Sequence, residues 1–405
     1  MTESYTVLWD TSRSNANEPF RGGLEGLGAA SPATPKVDRI ELSKREVRDL
    51  ARAPEVAAVA PVMPTSLIAP VPTADAGVEA AADPAPGGVA WGVEAVGASI
   101  SQRDGAGVVP AVLDTGIDAT HPAFAGVTLE QQDFSGSGIG DRQGHGTHCA
   151  GTVFGRDVDG TRIGVARGVS RALIGKVLGD DGSGDSDMLF RGIQWATQNG
   201  AQVISMSLGF DFPGLVARLV QQRFPVDLAT SRALEAYRAN LRMFDALMRL
   251  IAAQQEFTGG TVVVAASGNE SKRNVDPNYE IGASLPAAAD GVLSTGALGR
   301  SAAGLVIAPF SNTFPQIAGP GVEVLSAQAG GGLVAFNGTS MATPHAAGIA
   351  TLWWQDVAAS PLPSTATTVT ARLLAACDLG RLAPSVDVAD RGMGLVQAPA
   401  QQPLP

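Results

Sequence analysis

The sequence predicts an α/β fold, with a central parallel sheet covered by helices on both faces, preceded by a small α+β unit and a linker. Three observations predict it. From about residue 92 onward, short Val/Ile/Leu-rich runs ending in Gly or Asp recur: GVVPAVLDTG, ALIGKVLG, AQVISMSLG, GTVVVAASGN and GVLSTGALG. Strands buried on both faces need such near-continuous apolar runs, and they belong to parallel sheets. Helical stretches such as SDMLFRGIQWATQNG and TSMATPHAAGIATLWWQ lie between them, which gives the alternating order of an α/β domain. Before residue 92 the composition changes twice, marking off a unit over 1–70 and a linker over 71–91.

In the first unit, SYTVLWDTS reads as an opening strand, β-branched and aromatic in a short run. Within VDRIELSKREVRDLARAP a second strand gives way to a helix. Ser43 precedes KREVRDLA and Glu46 follows three residues later, the signature of a capping box. EVAAVAPV reads as a returning strand. The stretch 71–91 is rich in Ala, Pro and Gly and poor in large apolar groups, so an extended, protease-accessible linker is expected there.

The remainder, 92–405, is one large domain with an insertion at about 210–258. There Leu234, Tyr237, Leu241, Phe244, Met248 and Ile251 recur at spacings of three and four, one apolar stripe. Arg232, Arg238, Arg242 and Arg249 fall mostly off it. Two readings stay open: a helix docked on the body, or an element that meets a partner or gates substrate.

Composition narrows the function. The 405 residues are 45% hydrophobic and 17% charged, enough for a sizeable core. With 28 Lys+Arg against 39 Asp+Glu the net charge is -11, and no basic run appears, which argues against nucleic acid or an anionic membrane as partner. No apolar stretch reaches the length of a bilayer span, and MTESYTVLWDTSRSNANEPF lacks the basic and apolar regions of a secretory signal. A cytoplasmic location is therefore expected, with export by another route left open. Two cysteines, Cys149 and Cys377, exclude a disulfide scaffold, and a reducing compartment disfavours a bridge between them.

The chemistry-bearing residues cluster. All four histidines lie in three blocks: DTGIDATHPAF (His121), GHGTHCAG (His145, His148) and GTSMATPHAAG (His345). A strand ends in Asp114, one Gly-rich turn presents His145, and another offers Ser340 at the start of a helix. Acyl transfer by a serine needs a nucleophile, a base for its proton and an acid that orients the base, and these three residues meet that need. A fourth block, VVVAASGNE, ends a strand in Asn269, an amide donor suited to a developing oxyanion.

DTGID, GHGTHCAGT and NGTSMATPHAAG, in this order, resemble the three signature blocks of the subtilases. The resemblance extends over roughly residues 90–401. It implies a subtilisin-like three-layer fold and a serine endopeptidase with the triad Asp114, His145 and Ser340. It makes His145 the base and His148 structural, and adds Asn269 to the oxyanion hole. By the same likeness, Gly182-Ser183-Gly184 and Ser207-Leu208-Gly209 are the two extended segments that clamp a peptide substrate by strand addition. The primary pocket would be walled by Ala265, Ala266, Ser267 and Gly268, with Ser284 near its floor and Glu270 at its rim. Glu270 would either favour a basic residue there or be a solvated glutamate. LSKREVRDLARAPEVAAVAP is similar to inhibitory propeptides, which implies a zymogen that cuts itself in the 71–91 linker.

Two departures bear on the resemblance. Ala123 stands where many subtilases place a calcium-ligating Asp, which leaves a structural calcium open, DVDG at 157–160 being an alternative source of carboxylates. The chemistry itself needs no cofactor. Cys149 directly after H-G-T-H matches the subset that includes the proteinase K type, either beneath His145 or as an inert small side chain. Two rivals remain instructive: a silent subtilase scaffold would lack one of the four residues, and an α/β-hydrolase would need a G-x-S-x-G elbow where residues 338–342 read GTSMA.

Overall fold

The computed structural model describes residues 2–10, 12, 35–72 and 88–400. Its centre is a sheet whose strands run, across the sheet, Thr128–Asp133, Arg171–Lys176, Pro110–Asp114, Val203–Met206, Val262–Ala266, Val292–Ser301 and Gly304–Ile307. All neighbours pair in parallel except the last, and Ile317–Pro320 also pairs in parallel with Val292–Ser301. The expected α/β fold with a parallel sheet is thus what the chain adopts.

Alternation along each strand divides the core in two. Ala111, Leu113, Ile204, Met206 and Val263 pack with Phe190, Met243 and Phe244 on one face. Val112, Ile174 and Val264 pack with Val153, Ile349 and Trp353 on the other. Helices Ser186–Gln198 and Val226–Ala253 cover the first face, and His145–Phe154 and Thr339–Ala358 the second. Neither face meets water, which is why these strands read as unbroken apolar runs.

The N-terminal unit is a three-stranded antiparallel sheet, with Thr2–Asp10 between Pro35–Ser43 and Val56–Pro61. The capping box is present: Ser43 N–H donates to Glu46 at 2.7 Å, and Glu46 N–H donates to the Ser43 hydroxyl. This unit is not held apart from the large domain. Leu8, Val37 and Ala60 join the cluster that contains Phe190 and Phe244. Val37 N–H donates to Gln194 Oε1 at 2.7 Å, and Asn240 Nδ2 donates to the Pro61 carbonyl at 2.9 Å.

After Pro61 the chain enters the large domain as a strand, Pro64–Leu67, lying antiparallel between Ser183–Asp185 and Leu208–Phe210. Residues 73–87, most of the expected linker, lie outside the described residues.

The insertion is two helices, Phe212–Gln221 and Val226–Ala253. Phe244, Met248 and Ile251 of the apolar stripe are buried in the body, but Leu234 is 47% exposed. Asn240, Met243 and Leu247, off the stripe, are fully buried as well. A helix wedged between the body and the N-terminal unit needs a wider buried face than a helix docked on one side. Packing favours the docked reading: the C-terminal half of the helix is core, and its middle meets the N-terminal unit.

Phe244 packs at a tilt against Phe190 with ring centroids 4.5 Å apart and meets Phe210 edge-on at 5.8 Å. Phe244→Ala should lower unfolding free energy by about 3–5 kcal/mol, the transfer term plus an unfilled cavity. Denaturant titration of the Ser340→Ala background would measure this without self-digestion, and an unchanged midpoint would refute the packing role.

Candidate active site

Three chain segments converge where strands Pro110–Asp114 and Val203–Met206 end at their carboxyl edge, the usual place for a site in an open parallel sheet. Asp114 is the last residue of its strand, and His145 is the first of its helix. His145 Nδ1 lies 2.8 Å from Asp114 Oδ1, with both side chains 1% exposed.

Glycine makes this approach feasible. A Cβ on Gly116 would collide with the Gly140 carbonyl, and one on Gly146 with the Gly116 carbonyl. Gly144, before His145, has φ 94°, a left-handed turn that glycine adopts freely. A buried hydrogen-bond network then locks the Asp loop to the His helix. Asp141 accepts from the Thr115 hydroxyl (2.9 Å), Gly144 N–H (2.8 Å), and the Thr147 N–H (2.8 Å) and hydroxyl (2.7 Å). Thr115 Oγ1 in turn accepts from Gly146 N–H at 2.9 Å.

The electrostatics follow from burial and charge together. Burial alone would push the His145 pKa down, but the Asp114 carboxylate outweighs it and holds the pKa well above the ordinary histidine value. His148 goes the other way, to about 3, through burial and repulsion from His145. Its Nε2 is 3.0 Å from the Val324 carbonyl and its ring stacks on Phe336. His345 is also driven down, to about 4, by burial, and its Nδ1 is 2.8 Å from the Met341 carbonyl. His121 caps a short turn by accepting from Ala123 N–H. Of the four histidines, only His145 is paired to a carboxylate in this cleft.

Ser340 opens the helix Thr339–Ala358, whose first turn has no capping side chain, so amide donors remain there. Pro344, four residues on, cannot return the usual N–H to the Ser340 carbonyl. That carbonyl instead accepts from the Ser207 hydroxyl (3.1 Å) and the Cys149 thiol (3.4 Å). Cys149 Sγ also lies 3.7 Å from His145 Nδ1, and the side chain is fully buried. The contribution of Ser207 to holding Ser340 was not read from the sequence. Pro344 following Ser340 at i+4 was the signal that could have found it.

The Ser340 hydroxyl donates to the Ile68 carbonyl at 3.0 Å, and His145 Nε2 is buried with no hydrogen-bond partner among the described residues. Asn269 is fixed through its Oδ1, which accepts from Thr339 N–H and hydroxyl at 2.9 Å each. Its Nδ2 donates to the Ala69 carbonyl at 3.0 Å.

The two expected clamp segments do flank a strand, and the strand is the chain's own. Leu67 N–H donates to the Gly182 carbonyl at 2.8 Å, and the pairing sets Ser66 opposite both Ser183 and Gly209. Thr65 stands opposite Gly184, and Leu67 opposite Leu208. Ile68, 5% exposed, lies against Gly209 beside Ser284. Ala265, Ala266, Ser267 and Gly268 complete the strand end and turn before Asn269, and the Ser267 carbonyl accepts from Ser284 N–H. The Glu270 carboxylate accepts from Asn312 Nδ2 at 2.6 Å, so it is held by the protein instead of being merely solvated.

At the position of the expected calcium-binding Asp, the Ala123 methyl is buried and offers no ligand, and Asp157 of DVDG lies 3.5 Å from Arg167. Among the described residues no helix is long and apolar enough to cross a membrane.

Comparison with known proteins agrees with this geometry. The profile of the subtilase family matches residues 105–391. The chain is 34% identical over 270 residues to alkaline elastase YaB of Bacillus sp. (strain YaB), covering 65% of this chain and 59% of that protein. It is 32% identical over 254 residues to an intracellular serine protease of Paenibacillus polymyxa, covering 61% and 67%. Against subtilisin Savinase of Lederbergia lenta it is 33% identical over 271 residues, covering 65% and 83%. The chain thus spans less than two thirds of the elastase and most of Savinase. With the profile match taking in the Asp, His and Ser blocks and the sheet that carries them, the chain belongs to the subtilase family.

Proposed function

We propose that this chain is a serine endopeptidase made as a self-processing precursor, whose N-terminal unit occupies the cleft as an intramolecular inhibitor. The observation that carries it is the strand Pro64–Leu67, seated between the two clamp segments with the Ile68 carbonyl oxygen 3.0 Å from the Ser340 hydroxyl. Ile68 is then the residue before the bond to be cut, and Ala69 supplies the leaving amine. The alternative bond, Ala69–Pro70, would release a proline nitrogen, and its preceding side chain is not the one placed against Gly209 and Ser284.

In the mechanism, Ser340 Oγ attacks the Ile68 carbonyl carbon while His145 Nε2, the ring nitrogen without a partner, takes the hydroxyl proton. Asp114 keeps the other nitrogen protonated and stabilises the imidazolium. The negative charge gathers on the former Ile68 carbonyl oxygen, and Asn269 Nδ2, which in the uncut strand donates to the adjacent Ala69 carbonyl, shifts to it and joins the Ser340 N–H as the tetrahedral centre forms. Collapse breaks the C–N bond, His145 gives its proton to the departing amine, and water then hydrolyses the acyl-enzyme. No step requires a metal.

Substrates of the mature enzyme would be peptides or proteins that add a strand in the place of residues 64–67, so backbone pairing gives affinity with limited sequence selectivity. A reducing, cytoplasmic setting is supported by the two free thiols, Cys149 and Cys377. Cell fractionation followed by immunoblotting would decide that point.

Three outcomes are expected. Asn269→Ala should lower kcat about 10²–10³-fold with KM little changed, because the amide acts mainly in the transition state. Steady-state kinetics on a chromogenic peptide would show it, and an unimpaired variant would relocate the oxyanion hole.

The raised His145 pKa fixes a sign for pH dependence. A ring that stays protonated to higher pH cannot accept the serine proton until that pH is exceeded. The acid limb of kcat, which reports the occupied cleft in which His145 is buried beside Asp114, should therefore have its midpoint above about 6.5, the ordinary histidine value. In Asp114→Asn the limb should move to lower pH while kcat falls about 10⁴-fold. A wild-type midpoint at or below 6.5 would contradict the electrostatic account.

Finally, wild type should appear as a fragment beginning APVPT, whereas Ser340→Ala should retain its full mass, having no nucleophile. Intact-mass spectrometry with N-terminal sequencing separates these outcomes. Identical intact masses, with neither protein labelled by a fluorophosphonate, would leave a non-catalytic scaffold as the better description.

A further inference from the structure

The arginines that fall off the apolar stripe of the insertion take no part in the chemistry at Ser340. Three of them, Arg232, Arg238 and Arg242, lie on the long helix Val226–Ala253 where it meets the N-terminal unit. With Lys44, at the start of the helix Lys44–Leu50, they line a recess of about 500 Å³ between that unit and the insertion. Half-buried apolar side chains complete the lining, Val47 from the N-terminal unit and Leu215 and Leu219 from the insertion.

The four cations are uncompensated. Among the described residues none of them forms an ion pair, although the chain carries 39 acidic residues. Elsewhere arginines find carboxylates at close range, Arg171 meeting Glu130 at 2.6 Å and Arg191 meeting Asp187 at 2.8 Å. Two carboxylates do line the recess, Glu3 and Glu235, but they gather at Tyr5, whose pKa rises through burial and through both of them. Arg238 and Arg242 stand one turn apart on a single helix, about 6 Å along its axis. Like charges so placed destabilise a helix. The Arg232 guanidinium lies 4.5 Å from the Phe224 ring, a contact that orients it without neutralising it. On a chain of net charge -11, four such cations around one concave place are arranged to take up negative charge.

Charge and shape define the ligand. Guanidinium forks pair bidentately with phosphate oxygens, and a row of linked phosphates repeats its charge along the row of cations. The overall charge of -11 repels an extended polyanion, so the ligand is compact. A recess of this volume lies within the range that holds a small molecule. We propose that the recess binds a short linear polyphosphate chain, free or carried by a nucleoside, between Lys44 on one side and Arg232, Arg238 and Arg242 on the other. The inference goes beyond the peptidase reading and does not depend on it. Because Lys44 belongs to the N-terminal unit and the arginines to the insertion, the bound anion bridges the two. It adds an ionic contact to the apolar one made by Leu8, Val37 and Ala60.

The test uses the full-length Ser340→Ala chain, which stays intact whether or not the wild type cuts itself. Titration calorimetry with inorganic tripolyphosphate should show one site per chain. Its Kd should rise at least about tenfold between about 30 and about 300 mM sodium chloride, as salt screens the contacts. Orthophosphate reaches fewer of the cations and should bind at least about tenfold more weakly. The double variant Arg238→Gln/Arg242→Gln should weaken tripolyphosphate binding at least about tenfold, and Lys44→Gln at least about threefold. Arg249→Gln, on the same helix but outside the recess, should leave the Kd within about twofold. Magnesium-free ATP identifies the source: tighter binding than tripolyphosphate assigns the nucleoside-borne chain, equal or weaker binding the inorganic one. An unchanged Lys44→Gln overturns the bridge between the two units. No saturable binding of either polyphosphate, equal binding of orthophosphate, or the same loss in Arg249→Gln as in the double variant overturns the site and leaves the peptidase reading untouched.

Discussion

Two exposed backbone edges govern much of this structure. Ser183–Asp185 and Leu208–Phe210 project from the carboxyl side of the parallel sheet with peptide groups facing each other across a gap one strand wide. Peptide N–H and C=O groups shielded from water must find partners, and an open edge is a template for another strand. In this chain Pro64–Leu67 fills the gap. Because side chains alternate along a strand, the pairing leaves no freedom about which residue meets Ser340. Once Ser66 lies opposite Gly209, Ile68 must face the pocket and present its carbonyl to Ser340. The same edge that could pair with another peptide by backbone alone therefore sets the register of the N-terminal segment.

The electrostatic arrangement depends on that closure. Asp114 and His145 are each 1% exposed with the strand in place, so their attraction is little screened by solvent. Burying either charge alone would be costly, and the Asp141 and Thr115 network keeps the pair in register by fixing the two loops to each other. The other buried histidines show the contrast. His148 and His345 face backbone carbonyls, and burial drives their pKa values down. Four histidines from three similar-looking motifs thus separate by environment, because only His145 faces a carboxylate across the cleft.

The sheet and the triad were legible from the sequence because their signals are local. A buried parallel strand must be apolar throughout, and a tight approach between loops must use glycine, as at Gly116 and Gly146. What lay beyond reach was pairing between distant segments. PTSLI gives no sign that it will lie between residues 183–185 and 208–210, since its partners are more than a hundred residues away. The reading of 71–91 as the junction followed composition, whereas the peptide bond at Ser340 follows strand register and falls just upstream of it. The stripe on the long insertion helix was visible, but not its second buried face, because Asn240 and Met243 are buried by the N-terminal unit and body together. Glu270 was ambiguous for a similar reason: its partner Asn312 lies 42 residues on.

The insertion helix ties these parts together mechanically. Its 28 residues extend about 42 Å at 1.5 Å per residue, so one rigid rod reaches all three environments. Toward its C-terminus, Phe244 and Ile251 anchor it in the core. At its middle, Asn240 donates to Pro61 just before the chain enters the cleft. Nearer its N-terminus, Tyr237 bonds the wall beside Ser284, and Leu234 faces the groove beyond Ile68. Asn240 Oδ1 is buried without a partner among the described residues, whereas its amide nitrogen is satisfied by both Pro61 and Ala236. Departure of the N-terminal unit would uncover this polar side chain together with the apolar surface now covered by Leu8, Val37 and Ala60. Water would compensate the amide readily, but the apolar surface would be bared at a cost that scales with its area. Backbone pairing in the cleft is open to any extended peptide. What distinguishes the N-terminal unit from a passing peptide is therefore this second, apolar contact on the helices, so the same rod that lines the groove also holds the N-terminal unit against the body.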